Sequence, residues 1–197
     1  YQEYGIPSIC IPGTIDNDIA GTDYTIGYDT ATNTAVEAID RIRDTALSHN
    51  RLFFIEVMGR HSGYIALNSA IAGGAVAVII PEQQISFDEL YKVLEQSGQA
   101  NKKSSLVVVA EGSKIGGANE LAKMVAERSN YFDIKVTILG HLQRGGPPTY
   151  FDRVLASRMG IAAVEGLLNG TNDSMVGVFQ NKIVFNAFDS IMNGQQH

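Results

Sequence analysis

A hydroxyl and two carboxylates fall within five residues near the start of the chain, in Pro12-Gly13-Thr14-Ile15-Asp16-Asn17-Asp18. The run before them, Ser8-Ile9-Cys10-Ile11, is apolar with β-branched residues and reads as a buried parallel strand. Pro12 cannot donate to a sheet ladder and Gly13 admits unusual dihedrals, so the strand should stop there. The residues after it form a loop at the carboxyl end of a strand, where open α/β sheets bind their ligands. Asp16 and Asp18 beside Thr14 suit metal–phosphate chemistry, one carboxylate taking a proton while the other helps to hold a cation. Aspartate and asparagine are also common turn formers, and an Asx-rich turn is the competing reading of the same spacing.

Other candidate residues stand at the ends of further predicted strands. Leu52-Phe53-Phe54-Ile55-Glu56-Val57 is a near-continuous apolar strand that delivers Met58-Gly59-Arg60 at its carboxyl end. Leu106–Ala110 delivers Glu111 in the same way, and His141 and Arg144 lie three apart within Gly140–Gly146. Each has a purely structural reading: a solvated arginine at a turn, a hydrogen-bonded carboxylate, an exposed loop histidine.

The elements that must position these groups alternate. Apolar residues at Ala31, Ala35, Ala38, Ile39, Ile42 and Ala46 predict a helix over 29–46. A helix over 63–72 closed by Gly73-Gly74 and a strand over 75–80 ended by Pro81 come next. Ser86-Phe87-Asp88-Glu89 is a capping box opening a helix with Leu90, Val93 and Leu94 inward. A helix over 119–129 and a strand over 135–139 precede a long helix over 151–168, capped by Thr149 with Asp152 in its first turn. Strands over 175–179 and 183–185 around Gln180-Asn181 lead to a last short helix. Strands alternating with helices predict an α/β fold of parallel sheets flanked by helices, without repeats, low-complexity segments or linkers.

The 197 residues are 45% hydrophobic and 18% charged, enough for a sizeable core. A net charge of −6 argues against nucleic acid or a membrane surface as partner, so an anionic substrate must be met by local arginines. Cys10 is the one cysteine; no internal disulfide is available, and a thiol buried in an apolar strand is inert, which points to a reducing compartment. With no signal peptide and no apolar run of bilayer length, the sequence reads as soluble and cytoplasmic. The chain opens on Tyr1, and Gly112-Ser113-Lys114-Ile115-Gly116-Gly117 fits neither a Walker loop nor G-x-G-x-x-G.

The stretch Pro12–Asp18, continued by Ile19-Ala20-Gly21-Thr22-Asp23-Tyr24-Thr25-Ile26-Gly27, resembles the catalytic signature of the 6-phosphofructokinase family. Glu56-Val57-Met58-Gly59-Arg60 and Leu139-Gly140-His141-Leu142-Gln143-Arg144-Gly145-Gly146 resemble two later motifs of that family, in its order and at similar spacing. The resemblance covers essentially the whole chain. It implies an ATP-dependent enzyme of bacterial type, seen here as a fragment lacking the N-terminal nucleotide-binding loops and expected to be inactive in isolation. In the two-lobed fold so implied, residues 1–26 and 141–192 form a partial ATP lobe, and 27–140 with 193–197 form the fructose 6-phosphate lobe. The implied reaction is phosphoryl transfer from Mg-ATP to the 1-hydroxyl of fructose 6-phosphate, giving fructose 1,6-bisphosphate in glycolysis. Mg2+ is the implied cofactor and ATP the co-substrate.

By the same resemblance Asp16 is the base, Asp18 supports it and the metal, and Thr14 contacts the transferring phosphate. Ile15 belongs with Thr14 and Asp16 to the substrate-binding stretch, while Gly13 stands where pyrophosphate-dependent members typically carry lysine. Backbone at Met58 and Gly59 faces the sugar, Arg60 neutralises the moving phosphate, and Glu111 accepts fructose hydroxyls. His141 and Arg144 bind the 6-phosphate. Arg51, with Lys135 in the place of a second arginine, reaches that phosphate in a neighbouring subunit, which implies a homo-oligomer, a tetramer by analogy. Lysine lacks the guanidinium fork, so its contact should be weaker. Arg43 and Lys102 match basic effector-binding positions of allosteric members, whereas Val76 replaces a glutamate of that site and Pro147 replaces a usual serine. The alternatives are a pyrophosphate-dependent enzyme, which Gly13 disfavours, and a non-catalytic sugar-phosphate-binding subunit or fragment.

Overall fold

The computed structural model describes residues 4–45, 51–99 and 104–192. In chain order the strands and helices begin β1 (Ile9–Cys10), β2 (Gly13–Thr14), β3 (Ile26–Gly27), α1 (Tyr28–Asp44), β4 (Arg51–Val57) and α2 (Tyr64–Ala72). They continue with β5 (Ala77–Ile79), α3 (Phe87–Gln99), β6 (Ser104–Ala110), α4 (Ala118–Arg128), β7 (Asp133–Ile138) and a 3₁₀ turn at Gly140–Arg144. The chain closes with α5 (Tyr150–Leu168), β8 (Ser174–Phe179), β9 (Lys182–Ala187) and α6 (Phe188–Met192). Two compact units result: Ala31–Gly146, and the residues up to Thr30 together with those from Pro147 onward. Of the sequence-predicted positions, Ala46, Lys102 and 193–197 lie outside the described residues.

In the unit Ala31–Gly146 the sheet order is β5-β6-β4-β7, and every pairing is parallel. β4 and β6 read as unbroken apolar runs because both their faces are covered. Leu52 and Phe54 join Val107 and Val109 beneath Leu90, Leu94, Leu121 and Val125 of α3 and α4. Phe53, Ile55 and Val108 are equally buried, and strand alternation turns them to the other face. The chain leaves β4 in one direction to reach β5, then returns through β6 and across to β7. Right-handed crossovers then put α2 on one face and α3 with α4 on the other. β4 and β6 are therefore neighbours whose following loops part to opposite faces, the arrangement that opens a ligand crevice. Polar side chains start the helices. The Ser86 amide donates to Glu89 Oε2 at 2.8 Å while the Glu89 amide donates to Ser86 Oγ at 3.3 Å, the predicted capping box. Glu56 on β4 accepts the Ala118 amide at 2.8 Å and so caps α4 from the neighbouring strand.

The other unit holds a three-stranded sheet, β1-β8-β9, and the two-stranded pair β2-β3. β9 runs antiparallel to β8 through Gln180 and Asn181, both in the left-handed region at φ 48° and 63°, as a two-residue hairpin turn requires. The sheet is thus mixed rather than parallel throughout. Leu155, Met159 and Ala163 of α5 pack on Val176 and Val178. The expectation of a buried Cys10 is corrected: β1 is two residues long and pairs with β8 alone, so as an edge it leaves Cys10 exposed. Thr149 caps α5 as predicted, accepting the Asp152 amide at 3.3 Å. Asp152 does more than favour the helix dipole. Only 2% exposed, its carboxylate accepts the Gly27 and Thr30 amides, each at 2.9 Å, and the Thr30 hydroxyl. It ties the start of α5 to β3 and to the first turn of α1.

Both side chains can be tested in the full-length protein. Asp152→Ala strands three donors at once and should cost about 3 kcal/mol in denaturant unfolding; an unchanged midpoint would contradict the clamp. Hydrogen bonds from the Ser86 amide, then from its hydroxyl, hold the Glu89 carboxyl below its ordinary value. A depressed carboxyl stabilises the fold above its unfolded pKa, and that contribution is lost as pH falls through the folded value. Glu89→Gln should accordingly lower the thermal midpoint at neutral pH and converge with the parent in acid. A difference independent of pH would refute this.

Candidate functional site

The aspartate-rich loop is built on the short parallel pair β2-β3, in which Gly13 faces Ile26 and Thr14 faces Gly27. Asn17 makes the turn, at φ 53°. Its Oδ1 accepts the Thr25 amide at 2.8 Å, and its Nδ2 donates to the Asp23 carbonyl at 3.1 Å. The buried Thr25 hydroxyl donates to the Thr14 carbonyl at 2.7 Å, closing the loop on itself. The far side is anchored where the Asp23 amide donates to the Val178 carbonyl at 2.7 Å and the Gln180 amide to Asp23 Oδ2 at 2.7 Å. The Asx-turn reading is therefore realised, but by Asn17 and Asp23. Thr14, Ile15 and Asp16 are left half-buried and Asp18 exposed, with no hydrogen bond or ion pair of Asp18 among the described residues. Thr14 Oγ1 accepts the Asp16 amide at 3.2 Å, which fixes the hydroxyl beside that carboxylate's backbone.

In the other unit the loops after β4 and β6 meet at the crevice between those strands. Glu111 Oε1 accepts the Gly59 amide at 3.2 Å and the Arg60 amide at 2.7 Å. Arg60 is held in the left-handed region at φ 55°, a conformation that a non-glycine residue keeps only when its surroundings impose it. A Cβ on Gly59 would lie 2.4 Å from the Ser62 carbonyl oxygen, and one on Gly112 would lie 1.9 Å from that of Arg60. Neither position accepts a side chain without moving the turn. The Met58 amide donates to Gln143 Oε1 at 2.8 Å, which joins the 3₁₀ turn to the same place. In a helix of three residues per turn, His141 and Arg144 fall on one side, and both are exposed. An exposed guanidinium, a histidine, a second arginine and the remaining oxygen of Glu111 suit a polyhydroxylated anion.

Arg51 and Lys135 stand elsewhere, Arg51 at the amino end of β4 and Lys135 in the first half of β7. The length of β4 separates Arg51 from the Met58 turn by about 20 Å. Asp133 lies between the two cations, 2.8 Å from Lys135 Nζ and 3.4 Å from Arg51 Nε, the latter an ion pair without hydrogen-bond alignment. Lys135 foremost, then Arg51, holds the Asp133 carboxyl below its usual value. Arg43 donates to the Gly73 carbonyl at 2.9 Å at the end of α2 and pairs with Asp40 at 2.5 Å.

Sequence reasoning gave no role in the site to Asn17, Glu56, Gln143 or Asp152. Asn17 carried a local signal as a turn former and Asp152 one as a helix-start residue; the bonds that give Glu56, Gln143 and Asp152 their places run to residues 62 to 125 positions away. No group of three or more histidine, cysteine, aspartate or glutamate side chains gathers among the described residues. Magnesium needs no such cage, since one or two carboxylates complete its shell with phosphate oxygens and water, and the exposed Asp18 carboxylate fits that use.

The sequence matches the family model described as Phosphofructokinase over residues 1–167. It is 56% identical over 182 residues to ATP-dependent 6-phosphofructokinase 1 of Thermus thermophilus, covering 92% of this chain and 56% of that protein. It is 50% identical over 195 residues to ATP-dependent 6-phosphofructokinase 2 of Bacteroides thetaiotaomicron, covering 99% and 60%. The chain thus spans little more than half the length of these relatives. Among solved structures, phosphofructokinase from Saccharomyces cerevisiae superposes with a TM-score of 0.87 at 35% identity, over 94% of this chain and 26% of the other. Pyrophosphate-dependent phosphofructokinase from Nitrosospira multiformis gives 0.82 at 27% identity, over 95% and 53%. On this agreement of sequence and fold, the chain belongs to the phosphofructokinase family.

Proposed function

We propose that the full-length protein transfers the γ-phosphoryl group of Mg-ATP to the 1-hydroxyl of fructose 6-phosphate, releasing ADP and fructose 1,6-bisphosphate. The observation that carries this reading is the braced loop that presents Thr14, Asp16 and Asp18, since a protein that only binds sugar phosphate has no use for two carboxylates and a hydroxyl on one such loop. ATP is favoured as donor because the relatives at 50% and 56% identity are named ATP-dependent, while the pyrophosphate-dependent neighbour shares 27%.

In this mechanism Asp16 takes the proton of the 1-hydroxyl as its oxygen attacks the γ-phosphorus and the bond to ADP breaks. Thr14 holds an oxygen of the moving group, and Arg60 neutralises charge on it. Asp18 would hold magnesium, which when bound screens and orients the nucleotide phosphates. Glu111 turns its second oxygen to sugar hydroxyls while the first keeps the Met58–Arg60 turn in place. His141 and Arg144 hold the 6-phosphate from one side of their turn. Arg51 and Lys135 sit toward the opposite end of the same strands, so they serve the phosphate bound by another copy of the chain, in keeping with a homotetramer. No described helix is long and apolar enough to cross a membrane, and the reading takes the protein to be cytoplasmic and glycolytic. The roles of Arg43 and Lys102 in effector binding belong to the same proposal; Arg43 would have to give up its bonds to Asp40 and Gly73.

The test is an Asp16→Asn variant of the full-length protein, assayed with ATP and with pyrophosphate. Loss of a general base predicts a fall in kcat of about 10²- to 10⁴-fold with ATP and little change in KM for the sugar phosphate. Turnover with pyrophosphate alone would overturn the choice of donor, and full activity in the variant would overturn the assignment of the base.

A further inference from the structure

We infer that Gln143 is a positioning residue which sets the Met58-Gly59-Arg60 turn and the His141–Arg144 turn against each other, a role that rests on the function proposed above. The backbone ladder of β4 runs out at this point. Leu139 still donates to the Glu56 carbonyl at 3.0 Å and Glu111 to the Val57 carbonyl at 2.9 Å, but the next amide, that of Met58, has no strand partner. Gln143 Oε1 takes that place at 2.8 Å.

The side chain is 1% exposed, and its Nε2 has no partner among the described residues. A buried amide with one end unpaired is costly, and an apolar residue of similar volume would avoid that cost. What the glutamine alone supplies is the bond to Met58. His141 and Arg144 flank it at two residues before and one after, so fixing Gln143 fixes both of them relative to the Arg60 turn. The residue touches no reacting atom and acts through its neighbours.

The test compares Gln143→Leu with Gln143→Glu in the full-length protein. Glutamate keeps the shape and the acceptor oxygen; burial favours its neutral acid, in which a hydroxyl takes the place of the unpartnered nitrogen, whereas leucine removes the acceptor. The leucine variant should raise KM for fructose 6-phosphate about tenfold or more, leave KM for ATP within about twofold, and be rescued by glutamate. Gln143→Asn withdraws the amide from Met58 without removing it and serves if the leucine variant does not fold. An unchanged KM for the sugar phosphate, or equal losses for both substrates with no rescue, would overturn the inference. Activity of the parent tests the proposed function separately. Should the parent be inactive, amide exchange at Met58 decides, faster exchange in the leucine variant supporting the role and equal exchange refuting it.

Discussion

Backbone amides need acceptors, from water or from the protein, and past the end of β4 the strands no longer offer one to residues 58 to 60. Glu111 and Gln143 meet that requirement with side chains, and the geometry of the Met58–Arg60 turn follows from it. One carboxylate drawing in two successive amides imposes a left-handed Arg60, and the tight return of the chain leaves no room for a Cβ at Gly59 or Gly112. The strand order supplies the place. β4 and β6 are the neighbours whose loops part to opposite faces, so the crevice, the arginine and the carboxylate share a single topological origin.

The aspartate-rich loop solves the same problem by other means. Strands of two residues hold little on their own, and polar side chains do the holding. Asn17 replaces a turn's backbone bonds, Thr25 closes on Thr14, and Asp152 pins Gly27 from the start of α5. These residues take up the loop's hydrogen bonding, and Asp18 is exposed. The chemistry proposed for the protein depends on this division between residues that shape the loop and residues that face outward from it.

What was legible in the sequence was local. Continuous apolar runs announced β4 and β6, Ser86 with Glu89 announced α3, and Thr149 announced α5. The two-residue strands β2 and β3 are too short to show a period, and the edge position of Cys10 depends on pairing that an apolar run does not encode. Asp152 looked like a helix-start residue because that is all its neighbours reveal; its partners at Gly27 and Thr30 lie more than 120 positions away. Gln143 sits inside a family motif, yet nothing in the motif says that its side chain is buried. The motifs themselves were the most informative feature, since family membership and fold agree with them.

Phosphorus NMR of the full-length protein with fructose 6-phosphate, ATP and magnesium reads out which bond the proposed transfer makes. The 6-phosphate signal should be joined by a second sugar-phosphate signal from carbon 1, with one ADP formed for each bisphosphate. ATP left intact while the sugar phosphate is bound and unchanged would contradict it.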